Sequence, residues 1–88
     1  MPIDKRREAI CAEVARILRQ ERQKRNVSMT ALAERAGLSQ QMVSYTERQM
    51  RNPTLDTLLR LTGALGLNVV DVLRRAQAAA SRTKRQRS

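Results

Sequence analysis

The side chains of this chain best equipped for chemistry are Gln40, Gln41, Ser44, Tyr45 and Arg48, spaced so that they share one side of a helix. A glutamine amide offers a donor and an acceptor in one plane, the two hydroxyls can do either job, and arginine adds a permanent cation. Such a set binds rather than catalyses. The chain has no histidine, hence no imidazole general base, and no glycine-rich loop that could cradle a phosphate. Ser28, Ser39 and Ser44 are better explained as helix caps or binding residues than as nucleophiles. Cys11 stands alone, so an intramolecular disulfide cannot form, and a cysteine–histidine metal site lacks its ligands. We expect no catalytic residue, no cofactor and no metal, and Cys11 reads as a small packing residue on an apolar helical face.

Charge points to the class of ligand. The 88 residues carry a formal charge of +10, with a pI near 11.6, which suits a polyanion because each cation brought to a phosphate releases condensed counterions. Residues 1–52 hold +5, residues 53–73 hold −1 and residues 74–88 hold +6. Anions belong at the flanks, and the leucine- and valine-rich middle block is where a core and a subunit interface belong. Tyr45 is the only aromatic ring, so base-stacking platforms of the single-strand or RNA-recognition kind have no material. No apolar run approaches the roughly 18–20 residues that span a bilayer, and the N-terminus reads as a mixed-charge helix rather than a signal peptide. With a lone cysteine, a reducing cytoplasm fits, and no membrane partner is expected.

The elements that must position the polar face lie on either side of it. Leu32, Ala33 and Ala36 recur at helical spacing, and Gly37 follows them where a residue with φ > 0 stops a helix. Leu38 anchors the turn, Ser39 caps the next helix, and Val43 and Thr46 point inward, opposite the polar face. Ahead of this pair, Ile3 to about Arg25 is a long first helix. Its apolar residues are Ile3, Ile10, Val14, Ile17 and Leu18, and Glu8, Glu13 and Glu21 alternate with Arg7, Arg16, Lys24 and Arg25 on a solvated outer face. Asn26 to Ser28 breaks it, and Ser28 caps helix two. After the pair, residues 49–53 form a loop ending at Pro53, because proline disfavours helix in the residue before it. Thr54 caps a fourth helix with a buried stripe of Leu55, Leu58, Leu59, Thr62 and Leu65, which Gly66 ends. Asn68, with Asp71 three residues on, resembles a capping box for a fifth helix whose apolar side is Val69, Val72 and Leu73. Residues 81–88 contain no apolar side chain and are expected to be a disordered basic tail.

These residues carry a family resemblance. Residues 29–48 resemble a helix-turn-helix, and from Leu18 to Leu73 the chain is similar to the Cro and phage-repressor (XRE-like) family. Its most specific parts are Leu32 to Gln40, then Val43-Ser44 with Glu47 and a basic neighbour, then Asn52 to Leu58 and Ala64 to Leu67. The resemblance implies an all-α, compact five-helix helix-turn-helix domain (lambda-repressor-like) over residues 1–80, with the tail beyond it. Two features depart from the family: the first helix starts two or three turns early, and Gln49 stands where a glycine is common. The resemblance puts Gln40, Gln41, Ser44 and Tyr45 on base edges in the major groove of double-stranded DNA. It puts Thr30, Ser39, Arg48, Arg51 and Asn52 at phosphates, and makes Arg22 and Glu47 a pair that supports the recognition helix.

Two functions fit. The first is a sequence-specific transcriptional regulator binding a two-fold operator as a homodimer, through helix five and its approach. The second is an antitoxin-like or adaptor protein whose main partner is another protein, a toxin or a second regulator, with autoregulatory DNA binding. The lack of a separate partner-wrapping domain favours the first, while the long first helix and the tail leave room for the second.

Overall fold

The computed structural model describes residues 3–87, and the side chains of residues 4–82. It consists of α1 (Ile3–Lys24), α2 (Met29–Ala36), α3 (Gln40–Glu47), α4 (Leu55–Ala64) and α5 (Val69–Arg87), with no strand among the described residues. The all-α, five-helix architecture is the one expected, and α2 has the bounds read from the sequence.

Local side chains set the helix starts. Ser28 Oγ accepts from the Ala31 N–H at 3.0 Å, Ser39 Oγ from Met42 at 3.1 Å and Thr54 Oγ1 from Thr57 at 3.1 Å. Asn68 Oδ1 accepts from Val70 at 2.8 Å, and the Asp71 carboxylate turns to Arg74. Each cap satisfies a donor that the helix's own ladder leaves unpaired, a contribution of about 1 kcal/mol.

One device ends the first four helices. In each case a residue with φ > 0 lets the following N–H reach back to a carbonyl of the last turn: Val27 to Arg22, Leu38 to Ala33, Met50 to Tyr45 and Leu67 to Thr62. The left-handed residues are Asn26 (φ 56°), Gly37 (φ 70°), Gln49 (φ 61°) and Gly66 (φ 72°). Gln49 therefore holds the conformation that a glycine would hold there. The loop geometry is kept and the residue is strained.

The core joins Val14, Ile17 and Leu18 of α1, Leu32, Ala33 and Ala36 of α2, Val43 of α3, Leu58, Leu61 and Leu65 (just past α4), and Val72 and Ala76 of α5. Buried Thr46 and Thr62 return their hydroxyls to Met42 and Leu58 carbonyls at 2.9 Å, so each satisfies itself within its own helix. Among the described residues no buried side-chain polar atom lacks a partner.

The structure corrects three readings. Leu55 and Leu59 are 68% and 48% exposed, because α4's apolar residues cover more of its circumference than the core does and burial falls on Thr57, Leu58, Leu61 and Thr62. Leu73 is likewise exposed, at 37%. Glu21 lies in a buried position rather than on a solvated face: its carboxylate takes Arg25 of its own helix and, at 3.2 Å, Arg75 of α5. Beyond Leu73, α5 continues through an alanine-rich stretch, residues 76–80, with Ala76, Ala79 and Ala80 buried. α1 is the element that α5 packs against most, so the early start of the one and the length of the other serve each other. The helix runs on through Arg87, so residues 81–87 of the expected disordered tail are helical, while the side chains of residues 83–88 lie outside those described.

Two outcomes follow for stability. A left-handed L-residue costs roughly 1–2 kcal/mol, and glycine gives back roughly 0.5–1 kcal/mol in unfolded-chain entropy. Gln49→Gly should therefore raise stability by about 0.5–1 kcal/mol in urea titrations, while Gly37→Ala, whose Cβ would sit 3.0 Å from Arg60 Nη1, should lower it. A destabilised Gln49→Gly would remove the claim of strain. The hydrogen bond from Arg25 holds the Glu21 pKa below its usual 4.5; burial opposes this and Arg75 adds to it. That contribution is complete above pH 4.5 and is lost as pH falls through the lower folded value. Glu21→Gln should thus be less stable than the parent at pH 7, with the gap closing below pH 4.5; an equal gap at pH 7 and pH 3 would contradict it.

Candidate nucleic-acid interface

α3 is eight residues long and two-sided. Val43 is 0% exposed and Thr46 and Glu47 are also buried, which fixes one side against the core. At roughly 100° per residue, Gln40, Gln41, Ser44, Tyr45 and the adjoining Arg48 occupy about 140° of the other side. Gln40, Gln41 and Arg48 are exposed, and Ser44 and Tyr45 are half-buried. The structure thus brings the four expected base-facing residues to one continuous surface.

A buried fork sets the direction of that surface. Arg22 Nε donates to Glu47 Oε2 at 2.6 Å and its Nη2 to Oε1 at 2.9 Å, while Nη1 donates to the Val27 carbonyl at 2.9 Å. The side chains are only 11% and 2% exposed, so the pair has little water to fall back on. Glu47's hydrogen bond raises the Arg22 pKa above its ordinary value, against the opposing effect of burial, so the guanidinium stays charged. One side chain of α1 therefore fastens the α1–α2 turn and the end of α3 together.

The residues expected at phosphates surround α3. Thr30 is exposed in the first turn of α2, and Ser39 is exposed at the N-cap of α3, where its oxygen accepts and its O–H is left to donate. Arg51 and Asn52 are exposed in the loop after α3, and a shallow cleft lined by Glu8, Cys11, Ala12, Gln49 and Asn52 separates this loop from the first turns of α1. Arg51 lies over the Tyr45 ring at 5.5 Å, and Gln41 Nε2 donates to the Tyr45 hydroxyl at 2.6 Å.

Sequence reading missed one contributor. Arg60 of α4 bonds Asp56 at 2.8 Å and reaches the Ala36 carbonyl at 3.4 Å, just beside Gly37. It braces the turn between α2 and α3 from outside. The pairing with Asp56 was legible as an i, i+4 pair, but the reach to Ala36 was not.

Residues 18–72 match the helix-turn-helix family HTH_3. The chain belongs to that helix-turn-helix family. This helix-turn-helix protein is 42% identical over 48 residues to the immunity repressor protein of Bacillus phage phi105, an alignment covering 54% of this chain and 33% of the repressor. The chain thus spans a third of that relative. It is 38% identical over 52 residues to the HTH-type transcriptional regulator y4dJ of Sinorhizobium fredii, covering 59% of this chain and 68% of that one. In three dimensions it resembles the clp gene regulator ClgR of Corynebacterium glutamicum, with a TM-score of 0.80, 27% identity, and coverage of 89% of this chain and 83% of that one. The family is one of DNA-binding transcriptional regulators.

The fork makes a measurable demand on this helix-turn-helix protein. Removing one partner of a buried pair costs about 3–5 kcal/mol, a large part of the 5–15 kcal/mol total typical of a domain. Glu47→Ala and Arg22→Ala should each show a loss of that size in urea denaturation, and the double variant should lose less than the sum. A cost near that of an exposed pair, under about 1 kcal/mol, would mean the fork does not hold α3.

Proposed function

We propose that the chain is a sequence-specific regulator of transcription that binds double-stranded DNA as a homodimer, α3 of each copy entering the major groove of one half of a two-fold operator. The observation that carries this reading is the exposed face of Gln40, Gln41, Ser44, Tyr45 and Arg48 on a helix whose opposite side is locked by a buried ion pair. A helix held this way can present amides to base edges at a fixed angle. Glutamine pairs both amide groups with the N6 and N7 edge of adenine, so Gln40 and Gln41 read bases together with Ser44, and Tyr45 stands beside them on the same face of α3. Thr30, Ser39, Arg48, Arg51 and Asn52 position the protein on the backbone without reading sequence. The work is done in the cytoplasm, where the chromosome is.

Exposed apolar residues support the dimer. Leu55, Leu59, Val70 and Leu73 are 68%, 48%, 55% and 37% exposed, all within the charge-poor block. Two copies related by a two-fold axis would bury these and place their α3 helices about one helical turn of DNA apart, roughly 34 Å.

Binding measurements separate the roles. Gln40→Ala or Gln41→Ala should weaken binding to a selected operator by about 1–3 kcal/mol and relax preference at one base pair, with random DNA unaffected. Arg48→Ala or Arg51→Ala should weaken all duplexes alike and flatten the salt slope by about one unit. At saturation, sedimentation should find two chains on a full site. Equal losses on specific and random DNA for the glutamine variants would defeat the base-reading role, and one chain per full site would defeat the dimer.

A further inference from the structure

We infer that Tyr45 is the positioning residue of the reading surface, orienting the amide of Gln41 with its hydroxyl and the guanidinium of Arg51 with its ring. The inference rests on the DNA-binding reading above and assigns base selectivity to a contact made before DNA arrives.

Four contacts converge on this residue. Gln41 Nε2 donates to the Tyr45 hydroxyl oxygen at 2.6 Å, one helical turn away on the same face. Arg51 stands over the ring at 5.5 Å, in the range of cation–π attraction. The backbone adds a second tie, since the Tyr45 carbonyl accepts from the N–H groups of Met50 at 2.9 Å and Arg51 at 3.4 Å. The loop carrying Arg51 is thus fastened to Tyr45 through main chain and side chain together.

The chemistry of the amide gives the contact its consequence. A primary amide has two N–H groups and one carbonyl oxygen. The N–H trans to Oε1 can serve Tyr45, which leaves the cis N–H and Oε1 of Gln41 side by side, the donor–acceptor pair that an adenine edge takes. An unrestrained glutamine on an exposed helix would lose its rotamer freedom only on binding. Here that loss is borne in the free protein, which is how pre-organisation raises affinity. The ring acts on the neighbouring charge in the same way: it keeps Arg51 beside α3, where a phosphate flanking the base would lie. An aliphatic residue in place of Tyr45 could do neither.

The chain has no other aromatic residue, so its near-ultraviolet dichroism reports Tyr45 alone. In the free protein, Gln41→Ala and Arg51→Ala should each change that signal, and unchanged spectra in both would overturn the inference without any DNA. For binding, the probes are a duplex selected from a random library by the parent protein and a random duplex of the same length. Tyr45→Phe keeps the ring and removes the hydroxyl. It should weaken the selected duplex about three- to tenfold, the equivalent of one immobilised side chain, with random-duplex affinity, salt slope and urea midpoint unchanged. Tyr45→Leu should in addition lower random-duplex affinity and flatten the slope, as Arg51→Ala does. In the Gln41→Ala background, Tyr45→Phe should cause no further loss. A full further loss there would make the hydroxyl a direct base contact and overturn the positioning role. A parent that selects no duplex overturns the proposed function and this inference with it, whereas a parent that discriminates alongside an identical Tyr45→Phe overturns this inference alone.

Discussion

The fold depends on a helix too short to stand by itself being held at one angle, and the interaction that does this is the buried fork between Arg22 and Glu47. Isolated helices below about 12–15 residues are marginal in water, and α3 has eight. Val43 attaches it to the core, but a single apolar contact leaves a cylinder free to roll. Two parallel hydrogen bonds to a planar guanidinium do not. Their energetic value is mixed, because withdrawing two charges from water offsets much of their attraction. Their directional value is not offset. The third hydrogen bond, to the Val27 carbonyl, extends the constraint to the turn that launches α2, so both helices of the motif take their bearings from α1.

Around this joint the chain is built from short helices that stop where they must. An α3 overrunning by one turn would displace Arg48 and Arg51, and the fold prevents this with one device used four times, a left-handed residue that folds the next N–H back onto the helix. Glycine fills it twice, and asparagine, which tolerates that conformation better than most residues, fills it once. Gln49 fills it at the end of α3. Strain therefore sits beside the residues proposed to touch DNA, and it is held there by Met50 N–H on the Tyr45 carbonyl and by the fork two residues back.

What the sequence disclosed divides along the range of the forces. Caps, glycine stops and the bounds of α2 rest on contacts within a few residues, and all were legible: Ser28, Ser39, Thr54 and Asn68 each cap the helix they precede. The two faces of α3 were legible too, because Val43 and Thr46 alternate with polar residues at helical spacing. Arg22 and Glu47, 25 residues apart, were reached only through family resemblance. Contacts with no local signature escaped. Glu21 meets Arg75 across 54 residues, and Arg60 reaches Ala36 across 24. Leu55 and Leu59 show the other limit, since periodicity reports that a helix has an apolar stripe and cannot report how much of the stripe the core covers. The alanine-rich end of α5 carries almost no amphipathic signal, although α1 covers it.

The exposed leucines and the net charge impose opposite demands, and this bears on how the proposed dimer would form. In the proposed dimer, Leu55, Leu59, Val70 and Leu73 would favour association of two copies through removal of apolar area from water. Two chains of +10 repel, and at physiological salt that repulsion acts over about 8 Å, the distance at which an interface closes. The balance in free solution is thereby weakened. DNA changes one side of it only. Phosphates taken by Arg48 and Arg51 of each copy in the proposed complex would cancel local charge and leave the apolar contribution as it was. Base reading, charge neutralisation and association would then reinforce one another at a two-fold site, and a single half-site would recruit only the first two.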